Sequence, residues 1–127
     1  MKDAIATKNA PNAVGPYSQA IVTDDLIFAS GQIPLNPASG EIEGDTIEAQ
    51  TKQVMKNIAG VLAADGLDFS AVVKTTVFLD KISDFVAFNG VYESFLMPPY
   101  PARSTVEVAA LPKGAKVEIE VIAQRKK

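Results

Sequence analysis

The chain contains no cysteine and no histidine. The first absence removes disulfides, thiolate metal sites, iron–sulfur clusters and thiol nucleophiles. The second removes the commonest general base and the commonest transition-metal ligand. A Ser-His-Asp or Cys-His mechanism is therefore impossible. Long hydrophobic runs are also missing: nothing approaches the ~18 consecutive apolar residues of a membrane span. Met1 to Pro11 has no apolar stretch of the secretory-signal kind, which leads to the expectation of a cytoplasmic protein. Net charge is −3, and the basic residues are scattered apart from the tail Arg125-Lys126-Lys127. That is a poor footprint for nucleic acid. Neither GxxxxGK[ST] nor GxGxxG occurs, and no carboxylates cluster as metal ligands do.

What is present is a globular composition. Of the 127 residues, 47% are hydrophobic and 21% charged, so a packed core is expected and one domain, 1–127, accommodates the length. Ala4 to Thr7 reads as a short first strand, and Pro11, Gly15 and Pro16 mark a loop. Tyr17 to Thr23 and Leu26 to Ser30 read as strands around Asp24-Asp25. Ile33 to Gly44, with two prolines and two glycines, reads as an irregular excursion. Asp45 or Thr46 can cap a helix to about Asp65, with Ile47, Thr51, Val54, Ile58, Val61 and Leu62 near a 3.6-residue period. Gly66 suits its left-handed cap. Phe69 to Leu79 reads as a strand, and Ser83 opens a second helix to about Leu96. Arg103 to Leu111 and Lys116 to Gln124 read as the last strands, joined by Pro112-Lys113-Gly114.

The order β-β-β-α-β-α-β-β predicts an α+β sandwich: a mixed sheet with two helices on one face. Strict alternation assigns Val106, Val108, Val117, Ile119 and Val121 to one face. Arg103, Thr105, Glu107, Glu118, Glu120 and Ile122 fall on the other. Two helices suffice for one face only, so the second is wet or meets another copy of the chain.

Few residues can carry chemistry. Arg103, just after a proline-rich bend, can bind a carboxylate through paired hydrogen bonds; a surface or ion-pair arginine is the plain alternative. Glu118 and Glu120 share one strand face, and either can orient water or act as a base; a solvated strand face is the plainer explanation from these residues alone. Asn89 interrupts the helical stripe Phe85, Asn89, Tyr92, Leu96 and needs partners if buried. Gly31, at the end of a strand, allows close backbone approach or simply a turn. Ser30 lacks a histidine partner and is a poor nucleophile candidate, and Tyr17 is a packing aromatic as readily as a site hydroxyl.

Several blocks together carry a resemblance. Asn9-Ala-Pro, Gly15-Pro-Tyr-Ser-Gln, Ala29-Ser-Gly-Gln-Ile-Pro34, Val73-Lys-Thr-Thr-Val-Phe78, Pro101-Ala-Arg-Ser-Thr-Val-Glu-Val-Ala109 and Val117-Glu-Ile-Glu-Val-Ile-Ala123 resemble the Rid (reactive intermediate deaminase) family. The closest likeness is to its RidA, or YjgF-like, subgroup, over essentially the whole chain. The resemblance implies a chorismate-mutase-like fold and a homotrimer with ligand clefts between subunits. It also implies hydrolysis of 2-aminoacrylate- or 2-iminobutyrate-type enamines and imines to 2-oxo acids and ammonia, without metal or cofactor. Such substrates come from pyridoxal-phosphate enzymes. By motif, Arg103 would hold the substrate carboxylate and Glu118 would position the attacking water. Tyr17, Ser30, Gly31 and Asn89 would line the cleft, and Thr105 would contact the imine through its backbone. Many members carry cysteine at that position, so thiol chemistry is lost here. A trimeric small-carboxylate-binding regulatory module without turnover is the alternative. An endoribonuclease role, a label some relatives carry, is disfavoured by the acidic balance and the missing histidine.

Overall fold

The computed structural model describes residues 2–125; Met1 and the basic pair Lys126-Lys127 lie outside them. The elements are β1 (Asp3–Ile5), β2 (Ala20–Val22), β3 (Leu26–Gln32), α1 (Ile47–Ala63), β4 (Val72–Leu79), α2 (Phe85–Ser94), β5 (Ala102–Glu107) and β6 (Val117–Gln124). Element order is as the sequence predicts. The six strands form one sheet in the order β1-β2-β3-β6-β4-β5. Only β4 and β5 pair in parallel, and α2 is the crossover that parallel pairing requires.

Local chemistry explains the boundaries. Thr46 caps α1, its hydroxyl accepting from the Ala49 amide at 3.1 Å. Gly66, at φ 71°, turns the chain in the left-handed region, and the Leu67 amide closes back on the Leu62 carbonyl at 2.9 Å. All six periodic residues of α1 are buried. Several expectations change: β5 stops at Glu107, short of Leu111, and β1 spans Asp3–Ile5 rather than Ala4 to Thr7. Phe69–Ala71 is a short 3-10 turn rather than strand, because the Asp68 carboxylate accepts from the Ser70 amide and bends the chain. Ser83 does not cap the second helix; it lies in a 3-10 turn over Ile82–Asp84 that runs into α2. The strand expected from Tyr17 begins only at Ala20, since Gln19 is used otherwise, as described below.

Both helices lie on one sheet face. Val54, Ile58, Val61, Leu62 and Phe88 pack there with Val77, Leu79, Val117, Ile119 and Val121, all in one buried cluster. The opposite face carries Phe28, Phe78, Val106, Glu118, Glu120 and Ile122, aligned by strand register. Phe28 and Val106 keep 42% and 44% of their surface exposed, so no element among the described residues covers this face.

The face assignment of β5 is the main correction. Thr75 stands beside Arg103, Val77 beside Thr105 and Leu79 beside Glu107. Thr75, Val77 and Leu79 are buried under the helices, so Arg103, Thr105 and Glu107 belong to the helix side of the sheet. Val106 belongs to the open side. Alternation within β6 holds as predicted. β5 and β6 are not neighbours in phase, because β4 lies between them.

Candidate active site

The sequence-predicted residues gather in two places rather than one. On the open side, Tyr17, Ser30, Gly31 and Glu118 line a cavity of about 860 Å³, together with Val14 and Leu35. At the sheet edge, Asn89 and Arg103 line a second cavity of about 450 Å³ with Tyr92, Glu93, Tyr100 and Pro101. Within one chain Arg103 and Glu118 project from opposite faces of the sheet.

The first cavity is built on an irregularity in β3. Ala29 pairs with Val121 and Gln32 with Ile119, so Ser30 and Gly31 together stand opposite Glu120. This is a β-bulge, a device that re-aims side chains next to sites. A Cβ at Gly31 would fall 2.1 Å from Glu118 Oε2, so the carboxyl group lies directly over the glycine. Ser30 is tied down: its hydroxyl donates to the Ser18 carbonyl at 2.6 Å and its amide to the Gln19 carbonyl at 3.0 Å. It is a wall residue, not a free nucleophile. Burial first, then the neighbouring Glu120 carboxylate, pushes the Glu118 pKa above the ordinary glutamate value.

Gln19, which sequence reasoning missed, organises the approach to this cavity. Its side-chain nitrogen donates to the carbonyls of Thr7, Ala10 and Pro11 at 3.0, 3.2 and 2.7 Å. Its oxygen accepts from the Thr7 amide at 2.6 Å. One buried carboxamide thus fastens the amino-terminal segment beside the loop that carries Tyr17. The available signal was a lone amide in the Tyr17–Val22 stretch, which has to be satisfied if buried.

The second cavity is built by α2 and the entry to β5. Asn89 Oδ1 accepts from Arg103 Nη1 at 2.8 Å, which supplies the partner a stripe-interrupting amide needs. The Arg103 guanidinium carbon lies 5.2, 5.9 and 5.0 Å from the ring centroids of Phe85, Phe88 and Tyr92. Tyr100 donates to Glu93 at 3.4 Å on the same cavity wall; neither residue was singled out from sequence. Thr105 lies two residues further along β5, lines neither cavity, and has a buried hydroxyl without a protein partner. Among the described residues no group of three or more acidic side chains is placed to hold a metal. No helix among them is long and apolar enough to cross a membrane.

Chemically, one half offers a fixed cation with free hydrogen-bond donors. The other offers a carboxyl group with a raised pKa in a partly apolar recess. The first suits a small anion and the second suits water activation.

A family model described as Endoribonuclease L-PSP matches residues 7–125. A protein named as a regulator, AldR, of Lactococcus lactis is 56% identical over 122 residues, covering 96% of this chain and 97% of that protein. The 2-iminobutanoate/2-iminopropanoate deaminase of Escherichia coli K12 is 46% identical over 129 residues, covering 99% of this chain and all of that protein. Among solved structures, YyfA of Yersinia pestis, described as a Rid-family protein of unknown function, superposes with a TM-score of 0.95 at 52% identity. That match covers 98% of this chain and 99% of the other. The solved neighbours share the α+β, chorismate-mutase-like fold that the resemblance implied. With a family-model match across nearly its whole length and relatives of this closeness, the chain belongs to the Rid family, in its RidA, YjgF-like branch.

Proposed function

We propose that the protein is an enamine/imine deaminase, hydrolysing 2-aminoacrylate- or 2-iminobutyrate-type intermediates to 2-oxo acids and ammonia. The observation that carries this reading is the division of the site. Arg103 and Glu118 sit on opposite sides of one sheet, and Glu118 lies on a face that no element among the described residues covers. Copies packed in a ring, as in the homotrimer the resemblance implied, would bring Arg103 of one against Glu118 of the next.

In the assembled cleft Arg103 holds the substrate carboxylate, helped by Asn89. An enamine first takes a proton on carbon to become the imine. Glu118 as carboxylate accepts a proton from a water while the water oxygen bonds to the imine carbon. Glu118 returns that proton to the nitrogen, giving a neutral carbinolamine and the free carboxylate. Glu118 then takes the hydroxyl proton and passes it to the amino nitrogen, so that the C–N bond breaks, ammonia leaves and the carbonyl of the 2-oxo acid forms. Tyr17, Ser30 and Gly31 shape the wall; Thr105, which lines neither half-site within one chain, would reach the reacting nitrogen through its backbone only in the assembled cleft, as the resemblance implied. Carbon is neither oxidised nor reduced overall, so the residues named suffice. Orientation of water and substrate lowers the barrier by several kcal/mol, and proton transfer adds roughly 10²–10⁴-fold. Pyridoxal-phosphate enzymes acting on serine or threonine are the class that supplies such intermediates.

The test couples a threonine dehydratase to this protein and follows 2-oxobutyrate release from the short-lived imine. Wild-type protein accelerates release. Arg103→Ala loses nearly all of the acceleration and Glu118→Gln loses much of it. Full activity in Arg103→Ala removes the carboxylate clamp.

The regulator name of the Lactococcus lactis relative favours a second reading, in which the same cleft binds a small carboxylate without turnover. Saturable binding of 2-oxobutyrate by calorimetry, with no acceleration in the coupled assay, selects it.

A further inference from the structure

We propose that Phe85, Phe88 and Tyr92 form an aromatic cradle that fixes the Arg103 guanidinium, and that Phe85 and Tyr92 are positioning residues for the proposed carboxylate grip. The inference rests on the deaminase reading for its consequence, but its geometry is independent of turnover.

An arginine on an edge strand normally samples many rotamers. This one does not stand alone. Three ring centroids lie within the roughly 6 Å over which a cation is attracted to a ring face. Phe85, Phe88 and Tyr92 are spaced three, four and seven residues apart on α2, which places them on one helical face. Asn89, on the same face, takes one N–H of Nη1. Among the described residues, no carboxylate forms an ion pair with the guanidinium. The remaining donors of Arg103 are therefore left for a ligand.

The cradle is itself anchored. The Tyr92 hydroxyl and the Thr75 hydroxyl lie 2.7 Å apart in a buried hydrogen bond. Thr75 is the β4 partner of Arg103 in the parallel pair. A short circuit results: the Arg103 backbone pairs with β4, Thr75 of β4 holds Tyr92, and the Tyr92 ring holds the Arg103 head group. The helix stripe thus fixes the cation before any ligand arrives, which reduces the ordering cost of binding. The stripe Phe85, Asn89, Tyr92 is more than core packing. Its apolar members bear on a charged group, and its amide sets that group's rotation.

The test measures 2-oxobutyrate binding by calorimetry, and KM and kcat in the coupled imine assay. Phe85→Leu and Tyr92→Leu are expected to raise Kd and KM roughly five- to tenfold, with kcat within about twofold. Tyr92→Phe keeps the ring but loses the bond to Thr75, and its affinity is expected to fall between those of the wild type and Tyr92→Leu. Wild-type affinity in folded Phe85→Leu and Tyr92→Leu overturns the proposal. So does a loss in Tyr92→Phe equal to that in Tyr92→Leu, because the ring would then not be the determinant. If Tyr92→Leu fails to fold, Phe85→Leu decides alone, since Phe85 is only partly buried. A wild type that binds 2-oxobutyrate without hydrolysing imine removes the deaminase reading and leaves the cradle to be judged on binding. A wild type that neither binds it nor accelerates imine hydrolysis overturns both.

Discussion

Glu118 holds its proton more tightly than an ordinary glutamate, through burial first and Glu120 second. Two consequences have fixed signs. For stability, the native state binds this proton better than the unfolded chain does. The group's contribution is therefore complete below the ordinary glutamate range and declines as pH rises through the raised value. For the proposed reaction, the carboxylate is the working form, so the acid limb of kcat/KM lies above the unperturbed value of about 4.3. Glu120→Gln removes the like charge and leaves the burial. The limb is expected to move down without reaching the reference value. A pH–rate profile checks this, and an unmoved limb in Glu120→Gln would show that Glu120 has no part in tuning its neighbour. The residue scale is also where the sequence was most legible for the site. Arg103, Asn89, Gly31 and Glu118 each lie at a cavity. Gln19 was illegible because its importance lies in four bonds to backbone that a sequence does not display.

At the scale of elements, the bulge in β3 is the informative departure from regularity. It places Gly31 under the Glu118 carboxyl, where a Cβ has no room. The obstructing atoms belong to the mobile end of a side chain rather than to backbone, so the element should survive a substitution that displaces the carboxyl group. Gly31→Ala is expected to lower imine hydrolysis roughly tenfold or more. Its urea midpoint should shift little, because a strand interior accepts alanine at least as readily as glycine. Retained activity in a folded Gly31→Ala would separate Glu118 from the chemistry. Element existence and order were readable because helical and strand periods are local: the six periodic residues of α1 and the alternation of β6 both appear as read. The face of β5 was not readable. Its phase is set by pairing with β4, a partner some thirty residues back in the chain (Thr75 with Arg103), and the turn into β6 carries no information about it. Phe69–Ala71 shows the converse: a nearby carboxylate overrode β propensity.

For the whole molecule, the two half-sites on opposite faces give a sharp test of the proposed assembly. Arg103→Ala and Glu118→Gln each spoil a different half. Mixed in equal amounts, unfolded together and reassembled as trimers, they should generate some clefts with both halves intact. Random association places one such cleft in every mixed trimer, so activity should recover to roughly a quarter of wild type. No recovery would mean that both groups act within one chain, or that copies do not share sites. The same whole-molecule view bears on the endoribonuclease description of the family model. A net charge of −3 gives no long-range attraction for a polyanion, and neither cavity is lined by a basic cluster.

The uncovered sheet face also bears on how the activity would scale with abundance. On the proposed reading a solitary folded chain holds only two incomplete halves, and the function exists only once neighbours meet. Output then follows the law of mass action for assembly rather than the amount of chain. Well above the association threshold each added copy would count in full. Below it, halving the amount of protein would remove far more than half of the capacity, so a modest fall in expression would act as a switch.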